Sequence, residues 1–404
     1  MDSIACIDIG SSEIVALMGQ QDPISGQCIV AGLGRSPTAG MKKGLIVDLD
    51  AMGLSIQRAV EEAEAAAGAQ MHMPLVCLPS IPCQSHRSFG ACAIRENRVS
   101  RSEIEQVVAG ARATPMSADH QMIHEFSKGF TVDHQAGIRD PLGLSGVRLE
   151  AEMYLVSCDQ HALSNVKQCL AQCGLETNKF VVAGIAAGFS ATTLDERQLG
   201  VGVIDIGAGS IDLVLFEAGT VQLAVSIPLA GQQITNDIAM AFRIPTINAE
   251  EVKRKFGHAW VDKASPVELM KLEASWDRAR ISISQRALAE IIEPRLEELL
   301  LLLKRQISHE KLSALSAGIL LTGSASQIPG LVELSQTVLN IPVRIAVSKM
   351  IVDGKEIKDP RLAAVIGAAE CYRVGNQSLS NANSSSAHFG AWVDRMQTWL
   401  RKTF

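Results

Sequence analysis

Residues 4–17 read Ile-Ala-Cys-Ile-Asp-Ile-Gly-Ser-Ser-Glu-Ile-Val-Ala-Leu, and residues 201–216 read Val-Gly-Val-Ile-Asp-Ile-Gly-Ala-Gly-Ser-Ile-Asp-Leu-Val-Leu-Phe. Each is an apolar strand, an Asp-Ile-Gly with small residues, and a second apolar strand. Glycine and serine between two strands suit a tight hairpin turn. With no bulky side chain in the way, backbone N–H groups of such a turn can approach a phosphate. Asp8 and Asp205 end their strands, where a magnesium ion would find the oxygen ligands it prefers. Two such hairpins in one chain suggest related half-domains clamping one nucleotide. A third element, Leu320-Leu321-Thr322-Gly323-Ser324-Ala325, is a glycine turn after a strand, where a base or ribose could lie.

Composition narrows the class. The chain has 404 residues, room for two to four subdomains with large cores. A net charge of −6 and the lack of a basic stripe argue against nucleic acid as a partner. The nine cysteines are scattered through apolar stretches and read as core thiols of a reducing cytosol. Cys169 and Cys173, four apart near His161, lack the tighter pattern of a zinc site. The first strand begins within three residues, which leaves no room for a signal peptide, and no apolar run approaches the roughly 20 residues of a membrane span.

Along the chain, residues 1–75 alternate strands with a helix at Ser55–Gly68, stopped by Gly68. Between about 80 and 155, Pro, Gly and polar residues increase, which reads as an inserted subdomain. Its one obvious helix is Ser102–Arg112, with Ser102 as the expected cap. Asp140–Gly143 is a turn, and Val147–Val156 a strand leaving it. Helices are expected at His161–Gly174 and Phe180–Thr193, the second small-residued and suited to close packing. Residues 232–305 read as mainly helical, with Pro294 starting a fresh helix and Leu299–Leu303 as a buried face. Gly318–Thr322 reads as a strand and Leu362–Tyr372 as a helix. Residues 374–388, rich in Ser and Asn, read as a flexible linker.

The chain's ending carries a separate signal. Among 10 Phe, 4 Trp and 2 Tyr, four fall in the last 16 positions: Phe389, Trp392, Trp399 and Phe404. On a helical wheel Phe389, Trp392, Val393, Met396, Trp399, Leu400 and Phe404 occupy an arc of about 140°. Arg395, Arg401 and Lys402 against Asp394 make the polar face net positive. This is the pattern of a helix lying in a lipid interface. A helix docked on its own core is the alternative, and the tether before it speaks against docking. Asp119, His120, His124, Asp133 and His134 are irregularly spaced and read as polar surface. No Ser/His/Asp or Cys/His arrangement is evident.

Together these stretches resemble the bacterial cell-division FtsA family of the actin-like ATPase superfamily. The likeness extends to Gly34-Arg35-Ser36, Gly40-Met41-Lys42-Lys43-Gly44, Gly143–Leu149, Asp195–Gly200, Glu293-Pro294-Arg295 and the ending Trp399–Phe404. It implies an α/β, actin-like fold of two halves with an inserted subdomain. The halves would be 1–80 with 156–198 and 346–374, and 199–231 with 306–345. The insert would be 81–155, a helical subdomain 232–305, a linker 375–388, and a membrane-targeting helix 389–404. The resemblance implies binding of ATP and Mg, self-association into filaments, and tethering of the tubulin-like FtsZ through its C-terminal tail. It also implies contact with later division proteins through the insert, and peripheral attachment to the cytoplasmic face of the inner membrane at the septum.

Residue by residue, the resemblance assigns Asp8, Gly10, Ser11 and Ser12 to a first phosphate loop. Asp205, Gly207, Ala208, Gly209 and Ser210 form the second, with Mg held through water by Asp8 and Asp205. Gly231, Thr235 and Asp237 follow it, Glu250 and Lys253 approach ribose and base, and Gly323, Ser324 and Ala325 form the adenosine turn. Arg295, with Arg286, falls where the FtsZ tail is received, and a cation suits a tail with carboxylates. Phe389, Trp392, Val393, Met396, Trp399, Leu400, Arg401, Lys402 and Phe404 would bind membrane. The chain departs from the family at Glu13, where many relatives carry lysine, and at Ala208 and Ser324, which replace glycines. Ala183-Gly184 stand where many actin-like proteins have Glu-Pro. These departures point to a scaffold that holds ATP and hydrolyses it at most slowly. Two other readings share the hairpins: a small-molecule kinase of the superfamily, and a pilus-assembly platform protein. The terminal amphipathic pattern separates the chain from both.

Overall fold

The computed structural model describes residues 2–21, 28–113, 117–267, 269–273, 280–346, 348–352 and 354–375. The amphipathic stretch 389–404 and the linker beyond Gly375 lie outside the described residues.

Two sheets repeat one plan. The seven-stranded sheet runs in the order Phe180–Val182, Leu75–Leu78, Asp2–Ile9, Glu13–Gln21, Cys28–Pro37, Lys349–Val352, Lys355–Lys358. The five-stranded sheet runs Thr220–Ile227, Ile211–Glu217, Val201–Ile206, Ile319–Thr322, Val343–Ile345. In each, an Asp-Ile-Gly strand pairs antiparallel with the next strand and parallel with a later one. The register is matched as well: Asp8 faces Val15 across the first hairpin, and Asp205 faces Asp212 across the second. The actin-like architecture thus rests on a duplicated sheet, with helices covering its apolar faces.

Glycines set how closely helices lie on these sheets. The helix Leu49–Ala67 starts before the expected Ser55, because the Asp48 carboxylate accepts the Ala51 N–H. It crosses the strand Cys28–Pro37 so closely that a Cβ at Gly34 would stand 1.9 Å from the Ala59 carbonyl. Phe180–Thr193 divides into a short strand, Phe180–Val182, and the helix Ala183–Ala191, because the β-branched pair extends the sheet before the small residues begin. That helix meets Ala363–Gly375 at Gly367, where a Cβ would be 1.9 Å from the Ala186 carbonyl.

Pro294 does not start a helix. It lies inside one continuous helix, Gln285–Lys304. A proline there costs about 3 kcal/mol. The buried row Leu288, Ile292, Leu296, Leu299 and Leu303 runs through it into one core. At roughly 1.5–3 kcal/mol per buried aliphatic side chain, that row outweighs the lost hydrogen bond. The 232–305 region also contains an antiparallel ribbon, Leu269–Glu273 with Arg280–Ser284, that the helical reading missed.

By contacts the chain divides into two compact units, the first formed by Met1–Ser85, Ser117–Ile123 and Val156–Tyr372, the second by the remainder. The second unit's core gathers Ile94, Val99, Val107, Val108, Phe130, Val132 and Leu149. Its helix Arg101–Arg112 is capped at Ser100 rather than Ser102. The Glu103 carboxylate accepts both the Ser100 N–H and its hydroxyl proton, so the Ser-x-x-Glu at 100–103 is the signal. Asp133 accepts the N–H groups of Val147 and Arg148 and so acts in the fold.

The nine cysteines are free thiols. Cys169 and Cys173 donate to the Leu49 and Gly53 carbonyls, and burial pushes the Cys169 thiol up to about 11. No helix among the described residues is long and apolar enough to cross a membrane.

His124, expected at the surface, is fully buried beside Phe126, and burial pushes its imidazole down to about 3. The unfolded chain takes up this proton near pH 6.5, whereas the folded one does not, so His124 favours folding above that pH and loses that contribution as pH falls. The stability gap between the parent and His124→Leu should therefore shrink by about 1.4 kcal/mol per pH unit below 6.5. Chemical denaturation of both proteins from pH 7.5 to 5 checks this; a constant gap would contradict it.

Candidate functional site

The two Asp-Ile-Gly turns face one cleft of about 550 Å³ in the first unit. Most residues carried over to the nucleotide line it: Asp8, Gly10, Ser11 and Ser12; Asp205 and Gly207 through Ser210; Gly231, Glu250 and Lys253; and Gly323, Ser324 and Ala325; Thr235 and Asp237 are not among the lining residues.

Each turn is held from behind. In the first, the Gly10 carbonyl accepts the Thr38 hydroxyl proton at 2.7 Å, and the Ser12 carbonyl accepts the Thr38 N–H at 3.1 Å. In the second, the Gly207 and Ala208 carbonyls accept the N–H groups of Gly231 and Gln232, at 3.1 and 2.8 Å. The first turn of the helix Gly231–Phe242 is thereby locked to the loop. Ala208 is thus fixed by its backbone, and its methyl does not alter the turn's anchoring. A Cβ added at Gly209 would stand 2.4 Å from the Ser11 hydroxyl oxygen, so the loops approach as closely as glycine permits.

The floor between the loops is built of carboxyl groups. Asp8 and Asp205 are joined by Asp212, which the sequence reading did not select. The cross-strand register with Asp205 was the signal available once the hairpin was recognised. Burial, then Glu13 and Asp212, push the Asp8 carboxyl up to about 7. Burial pushes Asp212 up to about 6, restrained by neighbouring serine hydroxyls, including that of Ser210 at 3.1 Å. Asp205 is raised well above the carboxylate range by burial and by the other two. Asp8 Oδ1 and Asp212 Oδ1 are buried without a hydrogen-bond donor. Buried carboxylate oxygens without donors would gain from the charge of a hard divalent cation, but Asp8, Asp205 and Asp212 do not bring their ligand atoms within 4.8 Å of one another as Asp119, His120 and Asp159 do.

On another wall, the Lys253 ammonium donates to the Gly231 carbonyl at 3.0 Å, the Thr235 hydroxyl at 2.7 Å and Glu250 at 2.6 Å. Burial works against the Glu250 charge, but Lys253 outweighs it and holds that carboxyl below its usual range. Gly323 has φ of 87°, and a Cβ there would stand 2.2 Å from Asp205 Oδ1. The Gly323 turn and the carboxyl floor are therefore in direct contact.

Glu13 lines the cleft but is paired. Arg35 contacts Glu13 at 3.2 Å and Asp359 at 3.1 Å, and Asp359 holds Arg361 at 2.7 Å. Arg361 also lines the cleft. Arg35 is far in sequence from Asp359 and Arg361, which stand two residues apart, and nothing local marks it as their neighbour.

Other assigned residues lie elsewhere. Arg295 is paired with Asp237 at 2.6 Å and with Glu298, and Arg286 lies 3.7 Å from Glu290. Nine positions apart on one helix, the two arginines are half a turn out of phase and do not share a face. Asp119 and His120 come together with Asp159, while His124 and Asp133 do not join them. The Asp159 carboxylate caps the helix Gln160–Gln172. The membrane residues from Phe389 to Phe404 lie outside the described residues.

Known proteins resemble this chain over nearly its whole length. Residues 202–367 match the family described as Cell division protein FtsA, and residues 82–157 match the SHS2 domain inserted in FTSA. The chain is 36% identical to Cell division protein FtsA of Pseudomonas aeruginosa, over 99% of this chain and 98% of that one. It is 33% identical to the Escherichia coli K12 protein of the same name, over 98% and 97%. Among solved structures, a PilM-PilN type IV pilus biogenesis complex matches with a TM-score of 0.64 at 19% identity, over 91% of this chain and 98% of that one. MreB5 of Spiroplasma citri bound to ADP matches with a TM-score of 0.56 at 15% identity, over 92% and 96%. At those identities the likeness is one of fold.

The Lys253 cluster gives a direct test of the cleft wall. Lys253→Met leaves Thr235 and Glu250 without their shared donor and is expected to cost about 1–3 kcal/mol, Glu250 being partly solvated. In the double variant with Glu250→Gln, the two effects should couple by at least about 0.5 kcal/mol. Additive losses in urea denaturation would show that the three groups do not act together.

Proposed function

The chain belongs to the FtsA family of cell-division proteins, and from this we propose that it is an ATP-binding, self-assembling scaffold that anchors the division ring to the membrane. The observation that carries the nucleotide part is the convergence of both hairpin turns and the Gly323 turn on one cleft. In this reading Asp8 and Asp205, with Asp212 beside them, would hold a magnesium ion through water. That ion supplies positive charge to the phosphates. Backbone N–H groups of Gly10–Ser12 and Gly207–Ser210 contact phosphate oxygens, while Glu250 and Lys253, with Gly323–Ala325, enclose the nucleoside. Segments 1–80 with 156–198 and 346–374, and 199–231 with 306–345, act as two jaws around it. Subdomain 232–305 completes the cleft, and 81–155 meets neighbouring copies and later division proteins.

Holding rather than turnover suits this cleft. In this reading the Asp212 carboxyl, which lines the cleft, is the proton acceptor for a water beside the phosphates. Asp212→Asn is therefore expected to lower any ATP hydrolysis by about 10-fold or more, as removal of a proton acceptor does. Unchanged phosphate release by the variant would remove Asp212 from that role.

Residues 389–404 would attach the protein to the cytoplasmic face of the membrane at the septum. One short amphipathic helix binds lipid weakly and reversibly. A filament presents many, and avidity makes attachment firm. Arg295 would receive carboxylates of the FtsZ C-terminal tail by exchanging its Asp237 and Glu298 partners, with Arg286 contacting the tail from another side of the helix.

Co-sedimentation of the full chain with anionic liposomes and FtsZ, with and without MgATP, tests the proposal. The full chain should carry FtsZ into the lipid pellet, and a chain lacking 389–404 should leave both in the supernatant. Undiminished lipid binding by the shortened chain would overturn the tether.

A further inference from the structure

The cleft is rich in carboxylates, so the source of positive charge for a polyphosphate is a question its geometry can answer. Among the described residues that line it, the cationic side chains are Lys253, Arg254 and Arg361. Lys253 is nearly buried, and its ammonium already donates to Gly231, Thr235 and Glu250. An ammonium has three protons, so none remains for a ligand. Arg254 follows on the same helix, Thr246–Phe256, at the Glu250 wall.

Arg361 is placed differently. Its Nε donates to Asp359 Oδ1 at 2.9 Å and its Nη2 to Asp359 Oδ2 at 2.7 Å, while Nη1 makes no hydrogen bond among the described residues. The carboxylate it faces is shared with Arg35, which reaches Glu13 in the first turn. The order Glu13, Arg35, Asp359, Arg361 therefore alternates in sign and ends on a half-engaged guanidinium at the cleft. The chain segment bearing Arg361 is itself anchored, because the Pro360 carbonyl accepts the Gly323 N–H at 3.2 Å and the Thr322 hydroxyl proton at 3.0 Å.

We propose that Arg361 is the side chain that distinguishes nucleotides carrying β- and γ-phosphates from those without, and that Asp359, backed by Arg35 and Glu13, holds it poised for them. This rests on the cleft being a nucleotide site. A guanidinium matches a phosphate as a two-pronged donor as well as it matches a carboxylate. When a polyphosphate enters, Arg361 turns its free Nη1, and then Nη2, to phosphate oxygens. Asp359 stays neutralised by Arg35, so no carboxylate is left unpaired. The same movement offsets the negative charge that Glu13 places beside the first turn. A nucleoside monophosphate lacks the groups that could draw Arg361 across and gains little from it.

Isothermal titration of the full chain with MgATP, MgADP and AMP tests this, using the parent, Arg361→Gln, Arg361→Lys and Asp359→Asn. Loss of charge-assisted hydrogen bonds should weaken MgATP binding to Arg361→Gln by about 10- to 100-fold, while AMP changes less than about 2-fold. Arg361→Lys should fall between, because it keeps the charge without the fork. Asp359→Asn, which keeps the cap but releases Arg361, should tighten MgATP. Equal losses for all three nucleotides, or Asp359→Asn weakening MgATP as Arg361→Gln does, would reduce Arg361 to a structural role. Unchanged MgATP affinity in Arg361→Gln would remove it from the site. If the parent binds none of the three, the nucleotide reading itself fails.

Discussion

Three buried carboxyl groups that line one cleft are the constraint around which this molecule is arranged. Asp8, Asp205 and Asp212 lie where two hairpins meet, and each resists ionisation because burial and its neighbours raise its proton affinity. Like charges directly opposite on paired strands are destabilising, and Asp205 faces Asp212 in register. A fold built for stability alone would place apolar residues there, as the first hairpin does opposite Asp8 with Val15. The donorless oxygens of Asp8 and Asp212 mark where a cation and phosphates would make up the difference.

The surrounding structure keeps that arrangement in place. Carbonyls of the second loop are tied to the helix behind it, and Thr38 ties the first. Gly209 and Gly323 bring loop against loop and the Gly323 turn against Asp205, at separations no other residue allows. Lys253 joins Gly231, Thr235 and Glu250 into one wall. The charge chain from Glu13 to Arg361 links the first turn to the segment that anchors Gly323. Each wall of the cleft is thereby bonded to another part of the same unit. A nucleotide that pulls on one wall would load the others, which is how occupancy would favour one conformation.

The hairpins and their glycines were legible because turn chemistry is local. An Asp-Ile-Gly between apolar strands implies a turn, and its recurrence implies a duplicated sheet. Asp212 was hidden by alternation within a strand; only the register opposite Asp205 brings it to the site. The link from Arg35 to Asp359, and so to Arg361 two residues on, was hidden by distance along the chain, as long-range ion pairs are. Glu13 read as a bare negative charge because its partner lies on the neighbouring strand. Pro294 misled because propensity was weighed without the buried leucines on both sides of it. His124 misled because a lone polar residue in an alternating strand can point inward.

Thermal unfolding of the full chain with Mg²⁺, with ATP, and with both together tests the central claim most directly. A ligand that binds only the folded state at 100-fold above its Kd adds about 2.7 kcal/mol of stability. If the buried carboxylates and the two loops form one cation-and-phosphate clamp, millimolar MgATP should raise the melting temperature clearly more than Mg²⁺ or ATP alone. Replacing Asp8 with asparagine should abolish that difference. A melting temperature indifferent to MgATP would contradict the account.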